Sequence, residues 1–444
     1  MTRRPLTILF MPESAYGPTN NCVGIADVLR SRGHKIVFAA EASWAGKLEP
    51  LGFAEDLVNL APPAGTGPAD AEQDAGQFWK DFIASTAAEF RKPTIEQLGT
   101  WIKPVWEELI GGARYSHDQL TEIVARARPD VIVEDNVIGF PALMTAGAPF
   151  VRIVSCNPLE VKGPDVPPVF SGYPAADRGG WTEFRAEYDR VHRALWGEFN
   201  EWYVKQGAPP LPDLEFIAEG AVNIYLYPEI ADYARTVPLA ASWHRIDSSV
   251  RRTDASFTLP GPLASAKGGS GGVVPPGQHR GALVYFSLGS LGSADVGLMR
   301  RVIGYLADTP HRYVVSKGPL HAEIELPPNM YGAEFLPQTS VIPLADLVIT
   351  HGGNNTTTEC LHFGKPMVVL PLFWDQYDNA QRVDELGLGV RLDTYGCTGD
   401  ELRSAVERLL ADGALRARLA AAAVQIRGRD GLGAAADLIE AGAT

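Results

Sequence analysis

Short apolar runs alternate along this chain with longer segments in which apolar residues recur every three or four positions. In its first part, the apolar runs lie at 7–11, 35–39, 129–134 and 150–154. Their length and flanking residues predict buried strands. Residues 20–32 carry apolar side chains at helical spacing, and Gly33 follows as a helix stop signal. Apolar strands joined by helices predict an α/β fold with a parallel sheet covered on both faces.

Two aromatic-rich regions with helical spacing interrupt this pattern, at 76–127 and at 181–203. We expect most of their aromatic side chains to pack in a core. We expect others to line a ligand pocket, because such pockets are mostly apolar with a few polar groups.

The second half of the chain repeats the alternation of strands and helices. Residues 261–282 are rich in Gly, Pro and Ser, which predicts a linker or a mobile loop. Strands are predicted at 283–288, 346–350 and 367–370, and helices within 399–441. Because 444 residues exceed one ordinary core, we predict separate domains. The predicted segments are a first domain 1–240, a linker 241–282, a second domain 283–425 and a C-terminal helix 426–444.

Composition narrows the class of partner. The chain is 45% hydrophobic and 21% charged, as ordinary globular proteins are, and its net charge is −14. That charge argues against nucleic-acid partners and against an anionic membrane surface. No apolar run reaches the length of a membrane span. The four cysteines are far apart in the sequence, which favours reduced thiols in a cytoplasmic protein. The cysteines and histidines show no metal-ligand spacing, and no metal site is predicted.

The segment 335–392 carries the most specific chemistry. A predicted strand runs into His351-Gly352-Gly353, and a predicted helix follows that carries Thr356 and Glu359. Glycines let the backbone approach a ligand closely. The first N–H groups of a helix have no partner within the helix, and the helix N-terminus carries a partial positive charge. With His351 and Thr356 as further donors, this turn can hold a diphosphate without a metal.

This segment resembles the donor-binding signature of family-one glycosyltransferases, which include UDP-glucuronosyltransferases, plant UDP-glucosyltransferases and bacterial macrolide glycosyltransferases. Phe335-Leu336-Pro337-Gln338 stands where the family has Trp-x-Pro-Gln, and His351, Gly353, Asn355, Thr356 and Glu359 match its H-x-G-x-N-[ST]-x-x-E. Asp375 and Gln376 match its Asp-Gln pair. Phe335 departs from the family's Trp: it keeps an aromatic face and lacks the indole N–H.

The resemblance implies a GT-B fold, in which two Rossmann-like, doubly wound domains face a central cleft and the last helix packs back on the first domain. It further implies a role for each matched side chain. Phe335 would stack on the base; His351, Asn355 and Thr356 would hold the phosphates; Glu359 would bind the ribose; and Asp375 and Gln376 would bind the sugar. Ser290, in a loop that resembles the family's Ser-x-Gly-Ser, is a further candidate phosphate contact.

The candidate base is less complete than the donor site. Asp135 ends a predicted strand, where the family carries an aspartate that assists the catalytic base; a helix N-cap is the alternative interpretation. The position of the family's catalytic histidine, counted back from Arg32-Gly33-His34, is Pro18, which cannot accept a proton. Two explanations follow: Asp135, with Glu13, acts directly as the base, or the acceptor is acidic enough to need little help from a base.

The predicted function is inverting, metal-independent transfer of a hexose from a UDP- or dTDP-sugar to a small lipophilic acceptor. UDP-glucose is the first choice of donor because of Asp375 and Gln376, and no other cofactor is expected. Two alternatives stay open from the sequence: a sugar-nucleotide-binding pseudoenzyme that lacks the base, and a nucleotide-sugar epimerase.

Overall fold

The structure is a computed structural model, and it describes residues 4–62, 85–260, 263 and 281–443. The chain forms two compact units. The first unit contains the described residues up to 62, residues 92–251 and the residues from 429 onward. The second contains residues 85–91 and the described residues of 252–428.

Each unit is built on one parallel sheet. The strands are β1 (Thr7–Pro12), β2 (Lys35–Phe38), β3 (Ala54–Glu55), β4 (Val131–Asp135), β5 (Phe150–Val154), β6 (Val222–Leu226), β7 (Trp243–Ile246), β8 (Leu283–Ser287), β9 (Arg312–Ser316), β10 (Met330–Ala333), β11 (Leu347–Thr350), β12 (Met367–Val369) and β13 (Gly389–Arg391). Within the described residues, the first sheet has the order β3-β2-β1-β4-β5-β6-β7 and the second β10-β9-β8-β11-β12-β13. Paired strands run parallel in both sheets. The predicted α/β class with two doubly wound, Rossmann-like domains is confirmed.

Helices connect the strands. The α-helices are α1 (Tyr16–Ser31), α2 (Thr94–Gln97), α3 (Lys103–Tyr115), α4 (His117–Ala127), α5 (Pro141–Met144), α6 (Trp181–Lys205), α7 (Gly289–Gly292), α8 (Val296–Leu306), α9 (Gln338–Val341), α10 (Asn354–Phe363), α11 (Gln376–Glu385), α12 (Gly399–Ala411), α13 (Gly413–Gly428) and α14 (Gly431–Gly442). A π-helical turn spans Leu98–Ile102, and a 3₁₀ turn spans Glu89–Arg91. No described helix combines the length and the apolar character that a membrane span requires.

The first sheet is covered on both faces. Ile8, Leu9, Phe10 and Met11 of β1 are all fully buried, although alternate residues of a strand point to opposite faces. On one face, helices α1 and α14 pack together with the sheet in a single apolar cluster. The helix that ends the sequence therefore completes the core of the unit that begins it.

Polar contacts fasten α14 to the turn after α1. His34 is buried; its Nδ1 accepts the N–H of Leu6 at 3.0 Å, and its Nε2 lies 3.0 Å from Glu440 Oε1. The Arg32 guanidinium donates to Glu440 and to Asp437 at 3.2 and 2.7 Å. The Arg32-Gly33-His34 turn thus has a structural part in joining α1, β1 and α14.

Several strands and helices predicted from the sequence agree with the structure, and others have different bounds. The strand predicted at 150–154 is β5, and the helix predicted at 181–203 is α6. The predicted start of the first helix is wrong by one turn, because Gly17-Pro18 lies inside α1, whose first turn needs no proline N–H. Part of the predicted helical region 76–127 and most of the predicted linker 261–282 lie outside the described residues.

Both sheets have a topological switch point, where the chain turns from one side of the starting strand to the other. It lies between β1 and β4 in the first sheet and between β8 and β11 in the second. In open parallel sheets, ligands bind beyond the carboxyl ends of the strands at such points. The residues that follow these strands are therefore well placed to bind a ligand, and they include the site residues predicted from the sequence.

Candidate active site

Three neighbouring strands of the second unit carry the donor-site candidates. β8, β11 and β12 are adjacent, and Thr350 is in register with Ser287 and with Val369. Their carboxyl ends are therefore level. The segments that follow these strands contain Ser290, in the short helix α7, and His351 and Asp375. The fold therefore brings residues from distant parts of the sequence to the carboxyl ends of neighbouring strands.

The His351 ring lies between two glycine turns. A Cβ atom on Gly289 would stand 2.8 Å from the ring, and one on Gly353 would stand 2.6 Å from its Nε2. Both distances are shorter than side chains tolerate, so glycine at both positions makes room for the imidazole. Gly289 also has φ +74°, a conformation that favours glycine. Ser290 directly follows Gly289, so the segment that contains Ser290 lies beside His351.

His351 is neutral at ordinary pH. Burial lowers the pKa of the imidazole to about 4, against a backbone hydrogen bond at Ser287 that favours the charged form. A neutral imidazole has one N–H donor and one acceptor nitrogen. His351 can therefore give a phosphate a hydrogen bond without placing a fixed charge in the site.

Helix α10 begins without a side-chain cap. Its N-cap is Gly353, and Asn354, Asn355 and Thr356 form the first turn. Because glycine has no side chain that could accept from the first-turn N–H groups, these donors and the positive end of the helix dipole suit an anion. Among the described residues, no group of three or more His, Cys, Asp or Glu is arranged to hold a metal ion.

Gln338 ties together the predicted ribose and phosphate contacts. Its Nε2 donates to Glu359 Oε2 at 2.6 Å and to Thr356 Oγ1 at 3.1 Å, while its Oε1 accepts from Tyr285 Oη at 3.1 Å. Thr356 and Glu359 are one turn apart on α10 and so share a face. Phe335 lies three residues before Gln338, outside helix α9, and its side chain is 47% exposed. An exposed aromatic ring beside this cluster can stack on a base.

The loop after β12 brings Asp375 and Gln376 to the same edge. Asp375 is the N-cap residue of α11. The Gln376 Oε1 accepts the N–H groups of Leu372 and Phe373 at 3.0 and 3.2 Å. That carbonyl therefore shapes its own loop, and the amide nitrogen is the part of Gln376 with which a sugar hydroxyl can bond.

Asn379 joins this loop to the His-Gly-Gly turn. Its Nδ2 donates to the Gly352 carbonyl at 2.9 Å and to Asp375 Oδ2 at 3.3 Å, and the side chain is fully buried. Gly352 has φ +85°, and a Cβ there would lie 2.7 Å from Val369. The phosphate turn and the predicted sugar loop thus form one hydrogen-bonded structure.

In the first unit, Asp135 and Glu13 lie at the corresponding strand ends. β1 and β4 are paired with Pro12 opposite Asp135, and the Glu13 N–H donates to the Asp135 carbonyl at 2.8 Å. Asp135 is the last residue of β4 and is 2% exposed. It does not cap a described helix, so the alternative interpretation as a helix N-cap is wrong.

The Asp135 carboxyl is held by a buried hydrogen-bond chain. Ser155 Oγ donates to Asp135 Oδ2 at 2.5 Å, and the Cys22 thiol lies 3.7 Å from the same oxygen. Asn21 Nδ2 donates in turn to Ser155 Oγ at 2.8 Å, and Ser249 Oγ donates to Asn21 Oδ1. Ser155 follows β5, the neighbour of β4, so this chain also lies at the strand ends.

Burial raises the pKa of Asp135 to about 7; the hydrogen bonds from Ser155 and Cys22 oppose this shift, and the nearby Glu13 charge adds to it. Burial also raises the pKa of Glu13, although its carboxylate accepts from Ala15 N at 3.0 Å and from Ser14 Oγ at 3.1 Å. A carboxyl with a pKa near neutrality can both accept and return a proton at physiological pH.

Pro18 lies in the first turn of α1, one turn before Cys22. Residues one turn apart share a helix face, and Cys22 contacts Asp135. Position 18 is thus on the side of α1 that faces the carboxyl, although proline offers no acceptor there.

The sequence did not single out Ser155, Cys22, Asn21 or Asn379. A position just after an apolar strand was the signal for Ser155, and spacing of one turn from Asp375 was the signal for Asn379. Neither is distinctive alone, because many polar residues follow strands or lie on helices.

Comparison with known proteins agrees with this geometry. Residues 300–429 match the family model of the erythromycin biosynthesis protein CIII-like C-terminal domain. The chain is 26% identical over 443 residues to the oleandomycin glycosyltransferase of Streptomyces antibioticus, covering 98% of this chain and 91% of that protein. It is 25% identical over 438 residues to the demethyllactenocin mycarosyltransferase of Streptomyces fradiae, covering 98% and 86%.

Solved structures show the same fold. The glycosyltransferase of kitacinnamycin superposes with a TM-score of 0.69 at 22% identity, covering all of both chains. The glycosyltransferase VinC in complex with dTDP superposes with a TM-score of 0.62 at 17% identity, covering 98% of this chain and 99% of that one.

The fold is the GT-B fold of these solved glycosyltransferases. Over nearly its whole length the chain is similar to macrolide glycosyltransferases, and this similarity supports a family-one glycosyltransferase of the natural-product type. The resemblance stated from the sequence is thereby confirmed.

Proposed function

We propose that this protein transfers a hexose from a nucleoside-diphosphate sugar to a small lipophilic acceptor, with inversion and without a metal ion. The observation that carries the proposal is the group of candidate donor residues at the carboxyl ends of β8, β11 and β12 in the second unit, called the donor edge below. There the uncapped start of α10 and the His351 ring lie beside the cluster of Gln338, Thr356 and Glu359.

The donor edge would stabilise the leaving group. As the glycosidic bond breaks, negative charge grows on the β-phosphate, and preorganised donors there lower the barrier. The first-turn N–H groups of α10, the neutral His351 and Thr356 supply such donors in a partly buried site. A direct attack by the acceptor from the opposite face of the sugar gives inversion.

Asp135 is the proposed base. Its pKa of about 7 allows it to remove a proton from an acceptor hydroxyl at neutral pH. Glu13 assists chiefly through its charge, which raises the pKa of Asp135, because its own oxygens already accept hydrogen bonds from Ala15 and Ser14. A phenolic acceptor suits a carboxylate base better than an aliphatic alcohol does.

UDP-glucose stays the first choice of donor on the evidence of Asp375 and Gln376. A dTDP-sugar is the second candidate, since one structural neighbour is described in complex with dTDP and one relative is a mycarosyltransferase. Small lipophilic acceptors of natural-product type are proposed from the same relatives.

The test is calorimetric titration of UDP- and dTDP-sugars, followed by an acceptor screen with mass detection. His351→Ala and Glu359→Ala should each weaken donor binding by about 1–3 kcal/mol, because each removes a hydrogen bond. His311→Ala is the matched control: it removes another buried histidine of the second unit, which bonds Glu407 at 2.9 Å. Unchanged affinity in both donor-site variants would refute the assigned site. Donor hydrolysis or epimerisation without transfer to any acceptor would refute the reaction.

A further inference from the structure

Residues 85–91 belong to the second unit, although the residues that follow from Lys92 belong to the first. Phe90 is the main anchor of this segment and is 4% exposed. Its ring lies 5.1 Å from that of Phe373, and its carbonyl accepts the Tyr377 hydroxyl at 3.0 Å. Phe373 and Tyr377 flank Asp375 and Gln376 in the sequence. Phe90 therefore contacts the predicted sugar loop, residues 373–377, both before and after its two sugar-binding candidates.

Arg91 is linked indirectly to the segment that follows β8. Its guanidinium lies over the Tyr395 ring at 4.6 Å, and the Tyr395 hydroxyl donates to Asp295 Oδ2 at 3.2 Å. Asp295 caps α8 by accepting the Leu298 N–H at 2.9 Å. Because α8 follows the Ser290 loop, Arg91 is joined through Tyr395 and Asp295 to the end of that loop.

The segment after β8 and the loop after β12 also contact each other next to residues 85–91. A Cβ on Gly292 would lie 2.5 Å from Leu372, so the loop after β8 packs directly on the loop after β12. A cavity of about 300 Å³ is lined by Gly292 and Leu372 on one side and by Ala88 and Phe90 on the other. The segment thus covers the place where the loops meet.

The sugar loop needs support from outside. Trp374 has φ +56°, a left-handed conformation that is strained for a residue with a side chain. Such a conformation persists only where neighbours hold the chain on both sides. The Gln376 carbonyl supplies one restraint through the N–H of Phe373, and the stacked Phe90 ring supplies a second.

We infer that Phe90 and Arg91 are positioning residues for the donor sugar: they hold the loop that presents Asp375 and Gln376 against the phosphate loops. This inference rests on the proposed assignment of Asp375 and Gln376 to the sugar. It differs from that assignment because neither Phe90 nor Arg91 needs to touch the donor. The consequence is specific: their loss affects the sugar part of donor binding and spares the nucleoside diphosphate.

The experiment measures the affinities of UDP, dTDP and their sugars for each variant by calorimetry. Phe90→Ala should weaken nucleotide-sugar binding by about threefold to tenfold, the range that loss of one aromatic pair gives, and leave the bare nucleotide unchanged. Phe90→Leu keeps apolar volume and should lose less. Arg91 is exposed, so Arg91→Ala should fold normally and shift the same affinity in the same direction.

Phe53→Ala is the matched control. Phe53 is also 4% exposed and lies 5.2 Å from the ring of Phe38, in the first unit. It should lower the melting temperature as Phe90→Ala does, and it should leave the ratio of nucleotide-sugar to nucleotide affinity unchanged.

Three results would overturn the inference. Unchanged nucleotide-sugar affinity in both Phe90→Ala and Arg91→Ala is one. An equal loss for nucleotide and nucleotide sugar, which a merely structural role would produce, is another. The third is a wild-type protein that binds the sugar nucleotide no more tightly than the nucleotide. Failure of the donor site itself would appear separately, as unchanged nucleotide binding in His351→Ala.

Discussion

Asp135 illustrates how burial changes the pH at which a carboxyl group loses its proton. Its carboxyl is almost inaccessible, and its hydrogen bonds from Ser155 and Cys22 only partly offset the loss of water. The result is a carboxyl whose protonation changes near neutral pH. Below that pH it is a hydrogen-bond donor, and above it the proposed base.

The first prediction concerns the pH dependence of turnover. A base works only when deprotonated, so kcat/KM on a phenolic acceptor should rise with pH and level off above the pKa of Asp135, which is about 7. Asp135→Asn should lower kcat by about 100-fold or more and keep donor affinity. Glu134→Gln, which alters a neighbouring buried carboxyl, is the control and should keep activity. A flat profile, or normal turnover in Asp135→Asn, would exclude Asp135 as the base.

The second prediction concerns position 18. Pro18→His places an imidazole one turn before Cys22, on the helix side that contacts Asp135. The imidazole adds a second proton acceptor beside Asp135, and aliphatic alcohols are weaker acids than phenols and so depend more on a base. Turnover should therefore rise on aliphatic alcohols more than on phenols. Pro18→Ala is the control for loss of the proline alone. Equal changes in the two variants would show that position 18 does not reach the reacting hydroxyl.

At the scale of elements, the start of α10 was predictable and much of its surroundings was not. The glycine turn and the one-turn spacing of Thr356 and Glu359 are local signals. The position of Asp135 directly after an apolar run also indicated that it would lie at the carboxyl end of a strand. The bonds from Asn379 to Gly352 and from Ser155 to Asp135 depend on how neighbouring loops pack, as does the stacking of Phe90 on Phe373. No local pattern encodes them.

The third prediction belongs to this element. Because the N–H groups of α10 and His351 supply the diphosphate donors, transfer should persist in excess EDTA. The measurement is product formation with and without chelator, then with Mg²⁺ or Mn²⁺ restored. Complete loss in EDTA with recovery on adding either ion would show that a cation, not the helix start, holds the diphosphate.

At the scale of the whole molecule, both units place their candidate residues alike. Glu13, Asp135 and Ser155 follow or end three adjacent strands of the first sheet, beside its switch point. Ser290, His351 and Asp375 occupy the equivalent places in the second sheet. The positions of the candidates after predicted strands were therefore enough to place them at the carboxyl ends of the sheets, and side-chain packing determines which of them contact each other.

The fourth prediction concerns α14. Removing residues 429–444 takes Leu432, Ala436 and Ile439 from the first unit's core and Glu440 from His34. The first unit should unfold at a markedly lower temperature, because several buried apolar side chains are lost together. Donor binding should remain, since the donor edge belongs to the second unit. Calorimetric unfolding with and without nucleotide sugar measures both effects. An unchanged first transition, or loss of donor binding, would contradict the division into units.

The place of α14 also bears on how the protein is made. Its residues follow the whole second unit in the sequence, yet they complete the core of the first. A ribosome therefore exposes the opening strands long before their last packing partner exists, while every part of the second unit is already available. Domains generally fold during synthesis in the order in which they emerge. In this protein the half that is translated first cannot complete its core until residues 431–442 have been made, so its apolar face stays open while the second unit is synthesised.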